Sequence, residues 1–231
     1  MTTFALASRG PVSGFARRMP KTELHLHLEG TMEPGLKIAL AARHGITLSP
    51  AGEAEIRAQY AAHHDLPSFL AVHYANQEVL RDADDFDRLA SHYLEVAASN
   101  NVRHAEMFFD PQLHTARGVP FGEVIAGYRR ALLRAEERFG MTGGLVMCFL
   151  RDRGAEYAMA TLMEALDHRE AITGVGLDSD ERGHPPAEFA AVFARARREG
   201  FFVTAHCDVD QPGTLEHLRQ AMFDIDRKSV V

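Results

Sequence analysis

Short apolar runs alternate with helical stretches along most of this chain, and that alternation restricts it to a parallel sheet covered by helices. Residues 22–28, 102–109, 143–150, 172–178 and 201–206 read as strands. Helices are predicted over 33–44, 120–139, 154–168, 186–199 and about 213–224, with a helical insertion over roughly 52–100. The strands are near-continuously apolar rather than alternating, as expected when both faces are buried. A strand, a helix and a further strand in succession build a parallel pair through a crossover. Polar residues collect at the strand ends: His25 and His27, Glu106 and Asp110, Asp178 to Glu181, and His206. In an α/β barrel the active site lies at the C-terminal face of the strands. A doubly wound sheet would also bind ligands there. No Gly-x-Gly-x-x-Gly turn follows the first strand, which argues against a nucleotide-cofactor site.

At 231 residues and 46% hydrophobic content the chain can bury the core of one domain. Its net charge is −7 with histidines neutral, and it has no basic block. Nucleic acid and membrane surfaces are therefore not its expected partners. No run of about 18 apolar residues offers a membrane span. Cys148 and Cys207 both lie in apolar runs and are expected as buried thiols of a reducing, cytoplasmic compartment. Residues 1–18 carry Arg9, Arg17 and Arg18 without an acid and lack the apolar stretch of a secretory signal. They are expected to form a disordered extension before a globular region over 19–225.

His25 and His27 are separated by Leu26 and flanked by Leu24 and Leu28. On a strand, residues i and i+2 share a face, so the two imidazoles project together while the leucines pack the other way. Imidazole is a preferred zinc ligand. The competing explanation is a histidine pair buried for packing alone. Glu29 and Gly30 suit a sharp exit from the strand.

His25-x-His27, Gly174-Val-Gly-Leu-Asp-Ser-Asp-Glu181 and Thr204-Ala-His206 resemble the adenosine/adenine deaminase family of metal-dependent hydrolases, over about residues 19 to 224. The segment His104 to Pro120 resembles the adenine-deaminase branch in particular, as does Glu181-Arg-Gly-His-Pro-Pro186 followed by Phe189, Val192 and Phe193. The resemblance implies a (β/α)8 TIM-type barrel, of which this chain holds the first five βα units with a helical insertion after strand one. It implies one zinc ion per chain, held by His25, His27 and His206. It also implies a small-molecule purine substrate that loses its exocyclic amine at C6 by hydrolysis, adenine giving hypoxanthine and ammonia. Ser179 and Asp180 stand where the resemblance places contacts to the purine. Their alternative role is helix capping after strand four.

The chain departs from the family pattern in two places. The family reads His-Ala-Gly-Glu after strand five, with the glutamate as general acid, whereas here Cys207, Asp208 and Val209 follow His206. Valine cannot shuttle a proton, so Asp208 and Asp210 become the candidate donors, with capping of the next helix as their alternative. The family's strand-six histidine and strand-eight aspartate pair have no counterpart, and His217 lies in a helical stretch between Leu215 and Leu218. Residues 226–231 leave the family pattern and match one translation of a common sequencing adapter, so the natural product is expected to continue past residue 225. Five strands of eight leave strand five as an exposed edge. Adenosine and N6-substituted adenines are alternative substrates within the same chemistry. An inactive zinc-binding fragment or scaffold is an alternative of another class. A two-metal hydrolase is disfavoured, because strand four has no lysine near Asp178 to bridge the metals.

Overall fold

The computed structural model describes residues 11–207 and 212–225. Asp208, Asp210 and residues 226–231 lie outside the described residues. The chain enters through helix α1 (Pro11–Arg18), within the segment expected as an extension, and continues into β1 (Lys21–His27). Helices α2 (Pro34–Arg43), α3 (Glu53–Tyr60), α4 (Leu66–Asn76) and α5 (Ala83–Ser99) lead to β2 (Val102–Phe109). Next come α6 (Pro111–Thr115), α7 (Phe121–Phe139), β3 (Thr142–Leu150), α8 (Ala155–Ala165), β4 (Gly174–Asp178), α9 (Ala190–Arg198), β5 (Phe202–Val203) and α10 (Thr214–Gln220). The five strands pair in parallel in the order β1-β2-β3-β4-β5. Consecutive parallel neighbours joined by helices make this a wall of a TIM-type barrel.

The sheet has two unequal faces. Met107 and Phe109 of β2 and Phe149 of β3 belong to the main core beneath the helices. There Phe109 meets Tyr128 of α7 and Phe149 meets Phe193 of α9 edge to face. The opposite face carries a small cluster of Phe108, Val146 and Cys148. β3 is buried from Gly144 to Leu150, which explains its unbroken apolar run.

Helices α5 and α7 approach most closely at Gly127, where an added Cβ would lie 2.4 Å from the Ala83 carbonyl oxygen and 2.6 Å from Phe86 Cβ. α5 begins at Asp82, whose Oδ1 accepts from the backbone N–H groups of Asp84 and Asp85 at 3.1 and 3.2 Å. α7 ends at Gly140 in the left-handed conformation.

Several expectations are adjusted. The register slips between Glu23 and Leu26, so β1 bulges at Leu24 and His25. Leu26 and Leu28 are buried as expected, but the bulge leaves Leu24 56% exposed instead of packed with them. The helix expected to 168 stops at Ala165 and tightens into a 3-10 stretch, with His168 breaking the helical dihedrals. The last helix widens after Gln220 into a π turn over Ala221–Ile225. Regular β5 is only Phe202–Val203, yet its pairing continues, since Thr204 N–H donates to Val175 O and His206 N–H to Leu177 O. Cys148 is buried, whereas Cys207 is half-buried. No helix among the described residues is long and apolar enough to cross a membrane.

Candidate metal centre

His25, His27 and His206 converge at the ends of β1 and β5. The Nε2 atom of His206 lies 2.8 Å from that of His25 and 3.3 Å from that of His27. Two nitrogens held at about 2.0–2.1 Å by a tetrahedral zinc stand roughly 3.3 Å apart. The His27 pair matches that spacing and the His25 pair is somewhat tighter. Phe108 forms the floor, its ring centroid 4.8 Å from that of His25 and 5.3 Å from that of His27.

The far nitrogen of each of two rings is engaged. His206 Nδ1 donates to Leu177 O at 3.1 Å, which leaves Nε2 with its lone pair facing the other imidazoles. His27 Nδ1 lies 3.6 Å from Asp178 Oδ2, a carboxylate behind the ring. Burial, followed by repulsion from His206, lowers the pKa of His27 to about 3. Burial also lowers that of His206, against its bond to Leu177. Both rings are therefore neutral at ordinary pH, the form that binds a metal. Convergent imidazoles, with the His206 tautomer fixed from behind, fit a zinc ion.

Behind the histidines lies a buried carboxyl layer. Burial raises the pKa of Asp178 to about 7. Burial and the charges of Asp178 and Glu29 hold Asp110 well above the usual carboxylate range. Asp110 Oδ1 and Asp178 Oδ1 are buried without a hydrogen-bond partner, an environment that favours the protonated carboxyl. His27, Asp110 and Asp178 also place ligand atoms within 4.8 Å of one another. This second group uses the back of His27 and supports the first. A third group, His44 with Asp82 and Asp85, is already filled by the Arg43 guanidinium.

Glu29 does more than end a strand. It is 1% exposed, and its Oε1 accepts from Asp110 N–H, His114 Nε2 and Tyr128 OH at 3.2, 3.3 and 2.9 Å. Burial alone would raise its pKa, but the His114 hydrogen bond and its companions outweigh burial and keep it low. Arg117 donates to His114 Nδ1 at 2.9 Å, so Nε2 carries the proton given to Glu29.

Ser179 sits at the end of β4 with φ 78°. Its Oγ lies 2.6 Å from Tyr74 OH of the insertion and donates to Asp152 Oδ1 at 2.8 Å. Asp180 accepts from the backbone and guanidinium of Arg182 within a turn; no helix begins there, so helix capping is not its role. Glu29, Phe108, Tyr74 and Arg151 were not singled out from the sequence. For Glu29, Phe108 and Arg151 the available signal was a charged or aromatic residue at the C-terminal end of a strand; Tyr74 lies on α4.

The adenosine deaminase family model matches residues 20–227. The chain belongs to the adenosine deaminase family. It is 49% identical over 215 residues to an adenine deaminase of Rhodospirillum rubrum, covering 92% of this chain and 64% of that protein. The crystal structure of an adenine deaminase from Arthrobacter aurescens superposes with a TM-score of 0.85 at 41% identity, covering 89% of this chain and 62% of the other. An amidohydrolase from Burkholderia ambifaria, solved with bound zinc, superposes with a TM-score of 0.83 at 30% identity, covering 95% of this chain and 60% of the other. The chain thus spans about three fifths of the length of these relatives.

Proposed function

We propose that this chain carries the zinc-binding part of an adenine deaminase site, in which water replaces the C6 amino group of adenine to give hypoxanthine and ammonia. The observation that carries the proposal is the convergence of the His25, His27 and His206 Nε2 atoms. Likeness to adenine deaminases supports the choice of substrate. One zinc, when bound, would supply Lewis-acid chemistry and lower the pKa of water toward neutrality. Phe108 beneath His25 and His27 and the Leu177 bond to His206 hold the rings in place. Asp110 and Asp178 hold a proton behind His27 without exposing it to solvent. Ser179, fixed by Tyr74 and Asp152, and the neighbouring Asp180 are the proposed purine contacts. Asp208 and Asp210 are the proposed proton donors.

For the 231-residue chain alone we expect zinc binding without adenine turnover. Loss of a positioned acid or base costs about 10²–10⁴-fold. His25 is exposed and His27 and His206 are half-buried, and water at the centre weakens its electrostatics. Metal analysis after reconstitution, together with ammonia release from adenine, tests both statements on this chain and on a version of the relatives' full length. The expected result is one zinc in each, with turnover only in the longer form. Absence of zinc from both would refute the metal reading. Turnover by the shorter chain would refute its expected inactivity. Asp208→Asn and Asp210→Asn in the longer form identify the donor by which one abolishes turnover.

A further inference from the structure

The side chain of Arg151, just past β3, is completely buried. Its Nε and Nη2 donate to the His184 carbonyl at 2.8 and 2.5 Å, and its Nη1 donates to the His206 carbonyl at 3.2 Å. The Glu181 carboxylate, itself 2% exposed, lies 3.5 Å from Nη1. One guanidinium therefore joins the end of β3, the loop after β4 and the end of β5. A buried guanidinium is costly unless it is paired and its donors are used.

The His206 carbonyl needs such a donor. Pairing of His206 N–H with Leu177 O fixes the parallel register at this point. Continuing that register would have the Ser179 N–H donate to His206 O. Ser179 is left-handed, and its N–H makes no such bond. Arg151 supplies a donor where the ladder stops, at the residue whose imidazole joins β5 to the histidines of β1.

We propose that Arg151, with Glu181 as its counter-ion, is a positioning residue for the His206 imidazole and so for metal affinity at the three-histidine centre. The proposal rests on the zinc reading above. Outer partners that orient metal ligands typically alter affinity 10- to 100-fold when removed. Lysine at this position keeps the charge but, as a compact ammonium, cannot reproduce the planar fork.

The test compares the full chain with Arg151→Lys, with the double variant Arg151→Met/Glu181→Gln, and with Arg153→Ala as an exposed control on the same turn. The double variant removes the guanidinium and the Glu181 carboxylate together, so neither is left buried facing the loss of the other. Zinc affinity is measured by chelator competition. Imidazole ¹⁵N spectra of the metal-free proteins report the tautomer and order of His206. The expected result is affinity lowered about 10- to 100-fold in Arg151→Lys and in the double variant, loss of the fixed Nδ1–H signature, and no change in Arg153→Ala. A folded double variant with unchanged affinity and an unchanged tautomer would overturn the proposal. So would failure of both Arg151 variants to fold, since the pair would then serve the fold in general. If the unaltered chain binds no zinc, the metal reading falls, while the imidazole spectra still judge the role of Arg151.

Discussion

The β1 and β5 ends deliver ligands to the same point from opposite conditions. At β1, His27 is backed by Asp178, rests on Phe108 and belongs to a strand paired with β2 on either side of the bulge at Leu24 and His25. At β5, regular pairing lasts two residues, and His206 is held by its N–H and Nδ1 on Leu177 O and by Arg151 on its carbonyl. Phe202 at the start of β5 is 76% exposed, whereas Phe149 in β3 is fully buried. Position at β1 thus comes from continuous packing, and at β5 from a few polar contacts. Packing is distributed over many atoms, so no single contact decides it. A polar clip can be lost by one substitution.

The sharpest test of this contrast uses two phenylalanines. Phe149→Ala should cost about 3–5 kcal/mol, and Phe202→Ala less than about 0.5 kcal/mol, in urea unfolding of the 231-residue chain. Equal costs would mean that the β5 edge is covered in solution. His206→Ala should weaken zinc binding roughly 100-fold or more, since structural zinc sites gain on the order of 3 kcal/mol per ligand. Unchanged affinity in a chelator titration would remove β5 from the centre.

The third prediction concerns pH in the metal-free protein. His27 titrates near 3 when folded and near 6.5 when unfolded. The unfolded chain binds the extra proton between those values, so the contribution of His27 is complete above 6.5 and lost as pH falls toward 3. Asp178 acts in the opposite sense: its raised folded pKa favours the folded state at low pH, a contribution lost as pH rises through about 7. Comparing the chain with His27→Gln isolates the histidine. Between pH 6.5 and 3 the unaltered chain should lose up to about 1.4 kcal/mol per pH unit more than the variant. Parallel curves would show that His27 is not buried as described. The smallest effect is at the cap of α5, where Asp82→Ala should cost about 1 kcal/mol in thermal unfolding. α10, near β5, starts at Gly213 without a side-chain cap and offers no equivalent loss.

Local pattern determined a large part of this protein. Apolar runs placed every strand to within a few residues, β3 and β4 most plainly, because a strand buried on both faces has little choice of composition. The spacing of His25 and His27 brought their rings to one end, and the resemblance added His206 from far along the chain. The outward turn of Leu24 was not legible, because the bulge at Leu24 and His25 depends on how β1 registers against β2. Glu29 reads locally as a turn residue. Its role as an acceptor for Asp110, His114 and Tyr128 exists only once β1, β2 and α7 are packed together. The meeting of buried Asp110 and Asp178 beside His27 and the reach of Arg151 to His206 belong to the same class. Sequence periodicity records which residues leave water. Which polar groups must then satisfy one another is set by distances between strands that only the tertiary structure brings together.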